Sequence, residues 1–386
     1  MDVYIHNSNA ITTLQNLSPN TTIHVLATCN LGTNTFTMPS GCSFVFQDND
    51  SRFNGGTFTG CQVTNSYLDV KRFAPTDAVQ NRQSLINAMA LSDNVFISGL
   101  CQINSSVTIN RNGVRIYGSL VNGSKLKATT ICNLIEVSSD VENFTLENLT
   151  LEGIGDKYTP SYILRVNNRA RNIYVRGCVF AHATGGIFVL PQCSNVKILG
   201  CRFKNMVFAP RRQAGSYGVV FHQELINGLS TGVSHGVISG CVFESTVLRH
   251  AIYIQSVDDV LISDNVIYGT HEMNPQYIQD AINSPDHENM PDSIVEAFNI
   301  LQHANVADSF INYRGGNNVR ILNNYMTGGI DGISGTTDKN GEKGTLFLIK
   351  ENVFEDISES IHHSGAPYIN EDHLLDPVIE RNVNIV

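Results

Sequence analysis

The feature that most constrains the fold is a short motif that recurs along the chain. In each copy apolar and polar residues alternate, a small or amide residue follows, and a second alternating run begins. Alternation with period two is typical of half-buried strands, and a recurring unit of 20 to 50 residues is typical of repeat architectures. The residue between the two runs, here called the bend residue, is found at Asn148, Cys178, Cys201, Cys241, Asn265, Asn324, Asn352 and Asn382.

The spacing of the bend residues predicts one coil of a parallel β-helix per copy. The shortest spacings are 23 and 24 residues, and the longer ones are then coils that carry insertions. Stacked coils lie about 4.8 Å apart, so equivalent side chains should form ladders of like residues. We expect a bend ladder formed by Cys178, Cys201, Cys241, Asn265, Asn324, Asn352 and Asn382. We expect a second ladder at Phe180, Phe203, Phe243, Ile267, Met326 and Phe354.

Two other folds fit the motif less well. A β-sandwich does not repeat one bend in register, and the consensus of leucine-rich repeats is absent. The predicted fold class is therefore all-β, a right-handed single-stranded parallel β-helix. Stretches with helical spacing near residues 10–17 and 84–89 are each followed by strands and a Cys at a constant offset of 72. We expect short N-terminal helices that cap the open end of the solenoid.

The predicted organisation has two parts. Residues 1–75 form a leading segment, and residues 76–386 form the β-helix, with insertions at about 205–217 and 268–308. The N-terminus has neither a basic region nor an apolar region, so no signal peptide is visible.

Composition excludes several classes of protein. The 25 Lys and Arg against 35 Asp and Glu give a net charge of −10, which provides no basic surface for nucleic acid. Hydrophobic residues make up 42% and charged residues 16%, unlike a disordered chain. No apolar run is long enough to span a membrane. The 41 Asn and 31 Gly indicate many turns, and most of the nine Cys follow Gly in apolar runs, which predicts buried packing residues.

The segment from Asp69 to Gly118 resembles a known cap. Its pattern is similar to the start of viral tailspikes and other members of the pectate-lyase-like β-helix superfamily. The stretch from Leu31 to Gly60 resembles the leading segment of β-helix proteins from gut bacteria and their phages. The resemblance implies a polysaccharide partner, a homotrimer, and a location outside the cell or on a virion. It does not fix the activity, because the superfamily contains lyases, hydrolases, isomerases and plain binders.

A candidate site lies on the outer side of the strand that follows each bend. Its central apolar residues align as Ile187, Val219, Ile252, Ile311, Ile333 and Ile361, and alternation turns the residues one and three positions later outward. The candidate catalytic residues on or beside this face are His222, Tyr253, Arg314, His250, Asp331 and Glu359. The candidate substrate-binding residues are Gln255, Asn312, His362, Arg211, Arg212, Arg249 and Glu224.

Two chemistries fit these residues. A lyase would use Arg314, Arg249 or Arg211 to neutralise a uronate carboxylate, and a His or Tyr as base. A retaining hydrolase would use two carboxylates on successive coils, Asp331 and Glu359. No metal or cofactor is expected, since no Asp cluster clearly forms a calcium site.

The sequence thus predicts a polysaccharide-recognising β-helix of the phage tailspike type, with depolymerase activity favoured. The alternatives are a secreted bacterial polysaccharide lyase and a non-enzymatic virion or adhesin protein that only binds glycan or is structural.

Overall fold

The structure is a computed structural model. It describes residues 1–60, 63–76, 80–155, 161–206, 217–244, 250–269, 309–328, 331–355, 357, 369 and 371–385, and the side chain of Asp331 is not described.

The N-terminal segment contains two small parallel sheets. Strands β1, β2 and β4 form one sheet, and β3 pairs with β5. The elements are β1 (Asp2–Ile5), α1 (Ala10–Gln15), β2 (Thr22–Val25), β3 (Thr28–Met38), β4 (Ser43–Phe46) and β5 (Arg52–Gly60).

A second helix covers the start of the solenoid. It follows β6 (Leu68–Asp69), a 3₁₀ turn (Val70–Phe73) and β7 (Gln80–Asn81), and is α2 (Arg82–Leu91). The Asn81 side chain caps it by accepting from the Ser84 amide at 3.0 Å. Asn87 on its buried face donates to the Gly56 carbonyl at 3.1 Å, which ties the helix to β5. Helices α1 and α2 begin 72 residues apart, so the predicted capping helices and their offset are confirmed.

The remaining chain winds as successive coils, and the coils pair strand by strand into three parallel sheets. The strands of the first five full coils are β8 (Asn94–Ile97), β9 (Leu100–Ile103), β10 (Val107–Ile109), β11 (Arg115–Gly118), β12 (Lys125–Ala128), β13 (Ile135–Val137), β14 (Glu142–Glu147), β15 (Thr150–Glu152), β16 (Tyr162–Val166), β17 (Arg171–Arg176), β18 (Val179–Ala181), β19 (Gly185–Val189), β20 (Ser194–Leu199), β21 (Arg202–Lys204) and β22 (Tyr217–Phe221).

A hairpin, β23 (Glu224–Ile226) and β24 (Leu229–Thr231), interrupts the series. The later coils contain β25 (Ser234–Ser239), β26 (Val242–Glu244), β27 (Ile252–Gln255), β28 (Asp258–Ser263), β29 (Val266–Tyr268), β30 (Ser309–Arg314), β31 (Asn317–Leu322), β32 (Tyr325–Thr327), β33 (Asp331–Thr336), β34 (Gly344–Thr345), β35 (Leu348–Lys350), β36 (Val353–Glu355), β37 (Leu374–Leu375), β38 (Val378–Glu380) and β39 (Val383–Ile385).

Each full coil gives one strand to each sheet. Sheet A has the order β10-β13-β16-β19-β22-β27-β30-β33, sheet B runs from β6 through β8, β11 and onward to β38, and sheet C runs from β7 to β39. All pairings in these sheets are parallel, which confirms the predicted parallel β-helix.

Both predicted ladders lie inside the solenoid. Asn265 donates to Asn324 Oδ1 at 2.9 Å, Asn324 to Asn352 Oδ1 at 2.9 Å, and Asn352 to Asn382 Oδ1 at 3.0 Å. The thiol sulfur of Cys241 accepts from the Cys201 amide at 3.4 Å, so the Cys residues continue the same ladder. The second ladder is confirmed by register. In it the rings of Phe180, Phe203 and Phe243 stack with centroids 4.7 to 4.9 Å apart.

The prediction of Asn148 as a bend residue is wrong by one position. Thr150 pairs with Val179, so Leu149 lies beside Cys178 and Asn148 lies beside Gly177. Asn148 belongs instead to a column of residues with positive φ, which Asn and Gly adopt at low cost. The members of this left-handed column are Asn148, Gly177, Gly200, Gly240, Asp264, Asn323, Glu351 and Arg381.

A second column with positive φ lies near the start of the sheet B strands. Asn172 donates to Asn143 Oδ1 at 3.0 Å, and Asn195 donates to Asn172 Oδ1 at 2.7 Å. His235 occupies the same position and lies 2.9 Å from Asp259 Oδ2 through its Nδ1. The Asn excess of the sequence is therefore distributed over inner and outer turn columns.

Candidate functional site

Sheet A presents its outer face as rows of aligned side chains. Register places Phe188, Val220, Tyr253, Asn312 and Ser334 side by side, as predicted from the repeat. A neighbouring row aligns Gln255 with Arg314 and Thr336, and His222 directly follows β22 at the same level. The central apolar residues Ile187, Val219, Ile252, Ile311 and Ile333 are buried, and Ile361 lies outside the described residues.

His222 is a partly buried imidazole at the centre of this face. Its ring lies 5.2 Å from the Phe188 ring and its side chain is hydrogen-bonded to Gln255. Burial and the positive charges of Lys339 and Arg314 lower the pKa of His222, while Gln255 and the Glu224 carboxylate act in the opposite direction. The net effect favours the neutral imidazole at neutral pH.

A buried polar network supports this position. Gln223 is fully buried, and its side-chain oxygen accepts from Ser230 at 2.7 Å and from Ser256 at 2.5 Å. Its backbone amide donates to Gln255 Oε1 at 3.1 Å. The last of these bonds holds the side chain of Gln255, which is hydrogen-bonded to His222.

The hairpin beside His222 is absent from the sequence prediction. Asn227 and Gly228 have φ of 52° and 80° and connect β23 to β24. Such a pair suits a two-residue type I′ turn, for which Asn-Gly is the preferred sequence. The sequence Asn227-Gly228, between Leu225-Ile226 and Leu229, therefore indicates this hairpin. It carries the candidate Glu224, which is exposed.

Lys339 is a site residue that sequence reasoning missed. It lies in the loop after β33, and its Nζ donates to the Gln223 carbonyl at 3.0 Å. Asn340 of the same loop donates to the Gly228 carbonyl at 3.2 Å. The loop thereby brings the positive charge of Lys339 to His222, although Lys339 lies 116 residues after Gln223 in the sequence. No local sequence pattern predicts a contact of this length.

Arg314 lies on the same face, exposed to solvent. Its guanidinium carbon is 5.9 Å from the centroid of the Tyr253 ring. Within the described ranges it has no carboxylate within ion-pair distance, and neither does Lys339. Asn312, on the same strand, donates to Ser309 Oγ at 3.1 Å and is half-buried.

Two other predicted catalytic residues are buried although they belong to the outer side of the sheet. Tyr253 is 8% exposed and His250 is 4% exposed. They pack with Tyr217 in a cluster of rings, with centroid distances of 4.9 to 5.8 Å. His250 Nδ1 lies 3.0 Å from the Ser309 carbonyl, so its imidazole links adjacent coils. In this conformation His222 and Arg314 are accessible to a ligand, whereas His250 has a packing role.

The remaining predicted residues are described only in part or not at all. Asp331 begins β33 and pairs with Ser309 through its backbone, but its side chain is not described. Glu359 is not described either, so the separation of the proposed carboxylate pair stays open. The same holds for the substrate-binding candidates Arg211, Arg212, Arg249 and His362.

Within the described residues no group of three or more His, Cys, Asp or Glu is placed to hold a metal ion. Among those residues there is also no helix long and apolar enough to cross a membrane.

Comparison with solved structures gives remote likenesses. No family model matches the sequence, and no curated protein matches it. An alginate lyase from Paenibacillus sp. str. FPU-7 is 10% identical, with a TM-score of 0.34 over 97% of this chain and 98% of that one. A tailspike protein double mutant of E. coli bacteriophage HK620 is 10% identical, with a TM-score of 0.39 over 94% of this chain and 71% of that one. Likenesses at this level carry no argument about activity.

Proposed function

We propose that this chain binds an acidic polysaccharide on the outer face of sheet A and cleaves it beside His222. The observation that carries the proposal is the pair of cations Arg314 and Lys339, which flank a partly buried imidazole and lack carboxylate partners in the described structure. Many cations on the other sheets are neutralised, for example Arg171 by Glu142 at 2.6 Å and Arg202 by Glu244 at 2.5 Å. In the described structure the unpaired positive charges of Arg314 and Lys339 around neutral His222 favour binding of a substrate that carries carboxylates.

The cleavage that fits this arrangement is β-elimination from a uronic acid. Arg314 or Lys339 would hold the carboxylate and stabilise the negative charge that develops on it. Neutral His222 would accept the C5 proton. The electrons of that C–H bond form the C4–C5 double bond and the bond from C4 to the glycosidic oxygen breaks. The leaving oxygen takes up a proton from water, and His222 releases the proton that it gained to solvent.

Incubation of the intact protein with uronate polysaccharides, bacterial capsular polysaccharides and neutral dextran tests the proposal. Elimination yields unsaturated ends that absorb in the ultraviolet, hydrolysis yields reducing ends alone, and a binder yields neither. We expect His222→Ala to lower kcat/KM at least about 100-fold, as is usual for loss of an acid–base group. Arg314→Gln should weaken uronate cleavage and leave any action on neutral glycan unchanged.

Two control variants match these substitutions. His235→Asn alters a turn histidine at a position where this chain also uses Asn, and Arg202→Gln removes an ion-paired arginine of sheet C. Both should keep wild-type activity. Products without unsaturation, or full activity of His222→Ala, would contradict elimination at this site.

We further infer a homotrimer that acts on a phage tail or otherwise outside the cell. The support is the resemblance of residues 69–118 to tailspike caps. Light scattering should give about three times the chain mass of 42.3 kDa, and a monomer at all concentrations would contradict the trimer.

A further inference from the structure

Arg165 is a second cation on the outer face of sheet A. It lies on β16 in the same row as Phe188, Val220, Tyr253 and Asn312. Its side chain is half-buried, and its Nε is buried without a hydrogen-bond partner. The guanidinium forms no ion pair within the described ranges.

The groups around Arg165 leave its charge available. Glu136 is its register partner on the preceding strand, but its carboxylate is hydrogen-bonded by Asn133 at 2.6 Å and does not come within ion-pair distance of Arg165. Tyr162, on the same strand as Arg165, stays protonated because burial raises its pKa. The Nε itself is closed off from solvent, but the rest of the half-exposed guanidinium, with which no described carboxylate pairs, is open to an external anion.

Rings connect Arg165 with the site at His222. Tyr162 stacks on Phe188 with centroids 4.4 Å apart, and Phe188 lies 5.2 Å from His222. The order of sheet A places the strand of His222 two strands from Arg165 and two strands from Arg314. At about 4.8 Å per strand, the two arginines are separated by ~19 Å along the solenoid axis.

We propose that Arg165 forms a second anion-binding subsite, so that the acidic glycan lies along the solenoid axis and contacts Arg165 and Arg314 on either side of His222. This subsite rests on the proposed function and adds to it a direction and a minimum length for the substrate. A disaccharide is too short to reach both arginines, whereas a longer polyuronate fragment spans them.

Binding of polyuronate fragments of increasing length tests the subsite. Fragments of polygalacturonate and alginate are titrated into full-length His222→Ala protein, which prevents cleavage. We expect Arg165→Gln to raise the Kd of long fragments about 10-fold, as for loss of a hydrogen bond to a charged group, without changing the Kd of the disaccharide. Arg314→Gln should weaken both. Arg165→Lys should keep part of the affinity because the charge remains.

The outcomes separate the subsite from the function. If Arg165→Gln behaves like the control Arg202→Gln while Arg314→Gln still weakens binding, the subsite is wrong and the proposed function stands. Equal losses at every length would also overturn the subsite, since the disaccharide would then depend on Arg165. Absence of binding of any polyuronate by protein with an unchanged Tm would overturn the function and the subsite together.

Discussion

Asn324 hydrogen-bonds through its side-chain amide to Oδ1 of Asn352, 28 residues later, at 2.9 Å, with both side chains almost completely buried. The same Oδ1 also accepts from the Asn324 backbone amide at 3.0 Å. Each rung of the bend ladder thus satisfies polar groups of the rung before it. Burial of these polar groups costs little free energy only while their hydrogen-bond partners are present.

Removal of one rung should be costly. Asn324→Ala leaves the donors of Asn265 without their acceptor, and we expect a loss of about 2 to 4 kcal/mol in the free energy of unfolding, measured with urea. Asn324→Cys should lose less, because the chain itself places Cys at three rungs. Asn384→Ala, on the exposed last strand, is the control. An alanine variant as stable as this control would refute the role of the ladder.

Gly200 should be replaceable by Asn but not by Ala. Its φ is 58°, and a β-carbon there would have no atom within 4 Å. The cost of Gly200→Ala is then conformational, about 1 kcal/mol, whereas Asn tolerates this region. Urea unfolding of both variants should rank Asn above Ala. Equal stability would show that positive φ does not constrain this column.

Removal of the Lys339 charge should raise the pKa of His222. Burial is the larger cause of the lowered value and remains, but one of the two cations that disfavour the imidazolium is gone. Lys339→Met should therefore shift the His222 imidazole titration, followed by NMR, to higher pH. The acidic limb of any base-dependent activity should shift in the same direction.

Lys343→Met provides the control for that titration. Lys343 belongs to the same loop but binds the Asp372 carbonyl. An equal shift in both variants would mean that loop rearrangement, and not the charge of Lys339, perturbs His222.

Acid should weaken the ion pairs of Glu152. Its pKa is lowered to about 2, because burial, which raises it, is outweighed by hydrogen bonds from Lys125 and Lys127. The folded pKa lies below the unfolded one, so this contribution is complete above pH ~4.5 and is lost as the pH falls toward 2. Glu152→Gln should reduce the difference in Tm between pH 7 and pH 3. Glu380→Gln, on the exposed β38, should leave that difference unchanged.

The cysteines should resist modification in the folded protein. Seven of those described are buried, and burial raises the pKa of Cys101 and of Cys193 to about 12. In a Cys61→Ser background we expect a thiol reagent at pH 8 to modify half-buried Cys132 first and the others only on unfolding. Rapid reaction of several thiols would contradict the packing described for them.

The repeating part of the fold could be predicted because every coil needs the same types of residue at its inward, outward and bend positions. The bend ladder, the Phe ladder and the outer row from Phe188 to Ser334 all follow from period-two alternation plus one bend. The error at Asn148 has a physical cause. Asn suits both an amide ladder and a positive φ, so residue type alone does not tell these neighbouring positions apart.

The site was less accessible to sequence reasoning. Alternation states which side of a sheet a residue faces, but it does not state whether that side is covered, and Tyr253 and His250 turn out to be buried. Lys339 reaches His222 through a loop contact of long sequence separation, which no periodic pattern encodes.

The bend ladder keeps its register across sequence separations of 24, 28, 30, 40 and 59 residues. The scaffold therefore accommodates between 24 and 59 residues from one rung to the next, because only the rung residues have to meet. Loops between rungs can therefore differ in length while the ladder keeps its register, provided that buried bonds such as that of Ser230 to Gln223 are kept. A lineage built on this chain could change its ligand by replacing such segments while the stack beneath them stays the same.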